Sequence, residues 1–186
     1  MDTSWRQAAS DILERVTGAK ARNFASYDFG RRQNPECVSV IVHARQVGGF
    51  LEAVRAELPE GLVAFIGINW GACWITVQTE ERSGFELVVG PGESQFDIFN
   101  LARPDEVDYQ LDIKQLSKYN DEFGIDIYRV TSDEIAFQML SKPADLDAFA
   151  EDLLDYCPDL FADSEEPLQE LRKYLENAIN IGLWWD

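Results

Sequence analysis

One histidine, three cysteines and 34 carboxylates make up most of the reactive inventory of this 186-residue chain. His43 closes the β-branched stretch "CVSVIVHA" (37 to 44), sharing a strand face with Ile41 while Val38, Val40 and Val42 take the other. Nucleophilic catalysis would need an activated Ser or Cys and an orienting acid around that imidazole, and no Gly-x-Ser-x-Gly elbow is present. His43 therefore reads as an ordinary strand-end residue. Cys37, Cys73 and Cys157 are scattered, with no Cys-x-x-Cys, and one His cannot make a His-x-x-x-His pair, so neither a zinc site nor a disulfide framework is expected. They read as small buried hydrophobes in a reducing compartment. "GPGES" (90 to 94) is glycine-rich but carries Glu93 where a phosphate cradle would carry Lys, so it reads as a plain loop. No catalytic residue, metal, nucleotide or other cofactor is expected.

The carboxylates are the remaining chemistry. "PDEVDYQLD" presents Asp105, Glu106, Asp108 and Asp112, with Asp108 and Asp112 on one helix face at i, i+4. Such pairs can serve glycoside hydrolysis or hold a divalent cation, and equally form a solvated face. "CPDLFADSEE" (157 to 166) adds Asp159, Asp163, Glu165 and Glu166 beside aromatic and aliphatic groups. Residues 1 to 92 carry 11 acidic and 9 basic groups, whereas residues 93 to 186 carry 23 and 7. That field repels nucleic acid and anionic membranes, and steers a basic protein toward the second half. The expected partner surface is Asp105, Glu106, Asp108, Asp159, Asp163, Glu165 and Glu166, with Trp185 as an aromatic anchor. For Asp159 the alternative is a capping role in the turn after Cys157 and Pro158, and for the whole set the alternative is solubility.

The elements that must position these groups follow from periodicity. A composition 46% hydrophobic and 12% aromatic supports a packed interior. "SWRQAASDILERV" spaces Trp5, Ala8, Ala9, Ile12, Leu13 and Val16 for an amphipathic helix. A strand at 37 to 44, a helix through Val47, Phe50, Leu51 and Val54, and a buried strand at 62 to 68 follow, with a further short strand near Phe24 to Phe29. "CWITVQT" (73 to 79) and "FELVVG" (85 to 90) read as a hairpin, and "GPGES" as the internal boundary. Beyond it come a helix through Ile113, Leu116 and Phe123, a hairpin of "IDIYRV" and "IAFQML" about "TSDE", and a helix from Asp145 to Cys157. A last helix starts at Pro167. Gly182 frees "LWWD" to form a short strand or hook. Because neighbouring strand residues face opposite ways, one indole of Trp184 and Trp185 is expected inside, and Trp184 is assigned that structural role. No apolar run reaches membrane-spanning length and no basic start precedes an apolar stretch, so a cytoplasmic protein is expected.

"FDIFNLARPD", "YNDEFGIDIYRVTSDEIAFQML", "PADLDAFAEDLLDYCPDL" and "LWWD" together resemble a bacterial family catalogued as a domain of unknown function, number 4253. The resemblance covers roughly residues 94 to 186, and its specific parts are Cys157, Pro158, Asp159 and the run Trp184, Trp185, Asp186. It implies a small cytoplasmic bacterial protein and, for some members, an immunity role in toxin systems; it carries no catalytic residues.

The expectation is an α+β protein of two abutting lobes, each a small, mostly antiparallel sheet packed with helices. Residues 1–92 form the first lobe, with no named family, and 93–186 the second. Its expected role is non-catalytic binding of a basic protein, as an immunity or inhibitor protein occluding a basic cleft. The alternatives are a small carboxylate-dependent hydrolase and an acidic scaffold or regulatory module. Neither nucleic acid nor membrane is an expected partner, and the oligomeric state is left open.

Overall fold

The computed structural model describes residues 4–70, 84–104 and 109–185. The expected strand 73 to 79, Cys73, Asp105, Glu106, Asp108 and Asp186 lie outside them. The fold is α+β. Its elements are α1 (Ser4–Thr17), β1 (Ala25–Tyr27), β2 (Arg32–Asn34), β3 (Val38–Val42), α2 (Val47–Arg55), β4 (Leu62–Asn69), β5 (Phe85–Pro91), α3 (Ile98–Ala102), α4 (Tyr109–Phe123), β6 (Ile125–Val130), β7 (Glu134–Met139), α5 (Leu146–Tyr156), α6 (Pro167–Leu175) and β8 (Asn180–Trp184). Among the described residues a six-stranded sheet runs in the order β3-β5-β4-β6-β7-β8, and β1 pairs with β2 in a separate small ribbon.

The periodicities explain which face each element buries. Ala9 and Leu13 of α1 and Val47, Leu51 and Val54 of α2 pack on Val38, Val40, Val42, Ala64, Ile66, Leu87 and Val89, one face of β3, β5 and β4. The opposite face of the sheet presents Phe65, Val88, Ile127, Ile135, Phe137, Ile181 and Leu183 to α3, α4, α5 and α6. β4 and β5 are thus covered on both faces. In β8 the alternation is clean: Ile181 and Leu183 are buried, while Asn180, Gly182 and Trp184 are exposed, as expected of a half-covered antiparallel strand.

Helix ends are closed by local chemistry. Asp145 accepts the Ala148 N–H (3.0 Å) at the start of α5, where an N-cap carboxylate also favours the helix dipole. Lys142 Nζ reaches the carbonyls of Leu175, Glu176 and Ala178 after α6. The "GPGES" turn is structural. At Gly90 an added Cβ would lie 2.8 Å from Leu101 Cδ1 and 2.9 Å from Cys37 Sγ, and Asp97 Oδ2 accepts from the amides of Glu93 and Ser94.

The two halves of the sheet meet at a seam. β4 and β6 are parallel, with one registered pair, Ile66 with Arg129. Where they diverge, side chains replace the ladder. Arg55, at the end of α2, donates from Nε to Ala64 O (3.0 Å) on β4, from Nη2 to Ile127 O (2.7 Å) on β6, and from Nη1 to both Asp126 oxygens. Gln95 accepts from Ile127 N (2.6 Å) and donates to Ile125 O (3.0 Å). An open groove of about 590 Å³ lies beside this staple, lined by Arg55, Glu60, Glu93, Gln95 and Asp126 among others.

Candidate protein-binding surface

The loop from Cys157 to Glu166 is a chain of tight turns. Leu160 N donates to Cys157 O, Ala162 N to Asp159 O, Ser164 N to Phe161 O, and Glu166 N to Ser164 Oγ. Phe161 sits at φ 58°, a left-handed conformation that a non-glycine residue holds only when its surroundings fix it. Its ring is fixed against Tyr174 of α6, 6.2 Å between centroids. Leu160, Phe161, Leu171, Tyr174, Ile181, Gly182 and Trp184 together line a shallow apolar groove of about 250 Å³ along β8. Asp163, Glu165 and Glu166 are exposed, in the same loop as Phe161, whereas Asp159 is half-buried.

The indoles exchange the roles given to them by sequence. Trp184 is 46% exposed. Trp185 packs on the core and meets Tyr156 edge-on at 5.7 Å. The alternation argument holds, but its phase is set by Leu183, fully buried opposite Ile135, which turns Trp184 outward beside Glu134. Trp184 still contributes through its main chain, since Cys157 Sγ lies 3.2 Å from its carbonyl oxygen. Of the expected partner residues the structure therefore gathers Asp163, Glu165 and Glu166 on one loop and places Trp185 inward. Trp184 and Tyr174 are the exposed aromatics that sequence reasoning missed.

Three carboxylates absent from the expected set are structural. Glu86 has no solvent exposure; Oε1 accepts from Arg22 Nη1 (3.1 Å) and Oε2 from Ser26 N (3.1 Å). Ser39 Oγ lies 2.6 Å from Glu86 Oε1 and 2.9 Å from Phe24 O. A hydroxyl has one proton, so when Ser39 donates to Phe24 the contact with Glu86 needs a carboxylic proton. Burial pushes the Glu86 carboxyl above its ordinary range, against the pull of Arg22 and the hydrogen bonds. The signal in the sequence was a Glu inside the apolar run "FELVV". Asp152 goes the other way. Burial raises it, but hydrogen bonds from Lys118 and Tyr119 outweigh burial and hold it below the ordinary carboxylate range. Asp112, paired by sequence with Asp108, is buried and accepts from Tyr156 OH.

His43 is exposed, its Nδ1 accepting the Arg45 N–H (3.2 Å) in a turn. Burial pushes the Cys37 thiol up to about 12, and burial likewise raises Cys157. Among the described residues no group of three or more His, Cys, Asp or Glu is arranged to hold a metal ion, and no helix is long and apolar enough to cross a membrane. Neither a curated protein nor a solved structure matches the chain. Residues 86–186, from the second residue of β5 through the acidic loop and β8, match the family model described as Domain of unknown function (DUF4253), and the protein belongs to that family.

Proposed function

We propose that this protein binds another protein, one of basic character, without doing chemistry on it, and that it serves in the cytoplasm as an immunity or inhibitor protein that occludes a basic cleft. The observation that carries this reading is the apolar groove along β8, edged by exposed Trp184 and Tyr174 and by the acidic loop bearing Asp163, Glu165 and Glu166. Aromatic anchors beside a charged rim are the usual anatomy of an interface, the anchors setting residence time and the charge setting the encounter rate. The carboxylate-hydrolase alternative draws less support, since Glu86 and Asp112 are sealed from solvent and spoken for by Arg22 and Tyr156.

Association with a basic protein encoded beside this one should slow as ionic strength brings the screening length to about 8 Å, while dissociation changes little. Glu165→Lys with Glu166→Lys should weaken capture and leave the thermal melt in place. Capture that ignores both salt and the double reversal would overturn the reading.

A further inference from the structure

The two long edges of the main sheet differ in how their main chain is finished. At β3 the chain covers its own edge: Arg22 N donates to Ser39 O (2.8 Å) and Ser39 N to Arg22 O (3.2 Å). At β8 the flanking bonds from Trp185 N to Asp133 O and from Met139 N to Ile179 O set the phase of pairing with β7. That phase turns the main-chain groups of Asn180, Gly182 and Trp184 away from β7, toward the outer edge. Two of the outward carbonyls are met by side chains, Asn180 O by Tyr174 OH (2.7 Å) and Trp184 O by Cys157 Sγ. The amides of Gly182 and Trp184 and the Gly182 carbonyl belong to residues that line the groove. Soluble proteins blunt such edges with Lys, Pro, a bulge or a covering segment. "NIGLW" has no charge and no Pro, and its register with β7 is unbroken.

We propose that the β8 edge is a strand-addition site, and that its occupant is an extended basic segment of another protein. This rests on the binding function proposed above and specifies its mode. Main-chain bonding to Gly182 would supply the register, and alternate side chains of the added strand would reach the groove and the acidic loop. Charge selects the occupant. Residues 157 to 184 carry six carboxylates and two basic groups, and Arg172 is already paired with Asp147 and Glu151. A second copy, from a chain of net charge −18, would bring like charge to the same edge, whereas a Lys-rich or Arg-rich strand brings the complement.

The probe is a heptapeptide of alternating Lys and Val, with a fully N-methylated version of equal charge, titrated into the intact protein. N-methylation removes every amide donor, and the loss of two or so hydrogen bonds should weaken binding by about tenfold. Gly182→Pro deletes an outward amide that β7 does not use and should weaken the unmethylated peptide similarly. Gly182→Ala, whose Cβ would meet nothing within 4 Å, should bind like the native protein. Should Gly182→Pro fail to fold, hydrogen exchange decides: peptide should protect the Gly182 and Trp184 amides and leave Ile181 and Leu183, already paired with β7, unchanged. Equal binding of both peptides with strong salt dependence would overturn strand addition and leave the charge-based function standing. Methylation-sensitive binding that ignores salt would keep the edge and remove the basic occupant. No binding of either peptide at millimolar concentration, or a concentration-dependent dimer abolished by Gly182→Pro, would overturn the inference.

Discussion

The β3 edge is met at Ser39 by main-chain bonds from the chain itself and the β8 edge at two carbonyls by side chains, although both border one sheet. At β3 a buried carboxyl organises the seal, with Glu86 gathering Arg22, the Ser26 amide and Ser39 beneath the 22–26 segment. Arg22 is further held between the rings of Phe24 and Trp70, 5.2 and 5.5 Å from their centroids. At β8 the fixed points are a thiol and a phenol. The lesson is that a sheet can spend polar groups to close one edge permanently while leaving the other dressed lightly enough to accept a strand.

Breaking the sealed edge should have the largest effect. Glu86→Ala strands the Ser26 amide and the partly buried Arg22 and should cost on the order of 3 kcal/mol in a denaturant titration. Glu86→Gln sharpens the point, because Gln keeps the shape of the carboxyl but cannot ionise. The Glu86 carboxyl is raised in the fold, so its contribution is fully present below its ordinary value of 4.5 and is lost as pH rises through the folded-state value. The Gln variant, whose Nε2 cannot accept as either carboxyl oxygen does, should fall below the native protein at acidic pH and gain on it as pH rises; a constant difference would refute the assignment.

The lightly dressed edge should respond less. Trp185→Ala removes a half-buried indole packed on Tyr156 and should lower stability by about 2 kcal/mol. Cys157→Ala deletes the thiol beside Trp184 O and should cost about 1 kcal/mol. In the native protein Cys157 and Cys37 should resist alkylation at neutral pH until unfolding, since burial holds both thiols protonated. Smallest of all, Trp184→Ala should change stability by less than about 0.5 kcal/mol, as exposed positions do. A loss from Trp184→Ala exceeding that from Trp185→Ala would reverse the two indoles.

Local signals were legible and long-range ones were not. The β6–β7 hairpin could be read because "IDIYRV" and "IAFQML" are β-rich and flank a polar turn, and α5 because Asp145 precedes a helical stripe ending at Cys157. The joining of β4 to β6 left no local mark, since one parallel pair and the polar staple of Arg55 and Gln95 arise only when distant segments meet. The acidic loop was visible as composition. Its neighbouring groove was not, because parity alone says that one indole faces in and only the register of Leu183 against Ile135 says which. Glu86 drew no expectation, since nothing in "FELVV" shows that both faces of β5 are covered.

The Arg55 staple also bears on the order of assembly and on how long the native protein lasts. β4 pairs with β5 and β6 with β7 across short separations, whereas β4 and β6 are parted along the chain by β5, α3 and α4. Loop closure makes that union costly, and we expect the guanidinium bonds to Ile127 and Asp126 to form only after the rate-limiting barrier is crossed. An interaction made late leaves the folding rate alone and acts on the escape rate. In stopped-flow chevrons Arg55→Gln should therefore steepen loss of the native state through faster unfolding, with the refolding arm unmoved. With that outcome the staple that joins the two halves is a clock, governing the lifetime of the protein far more than its formation.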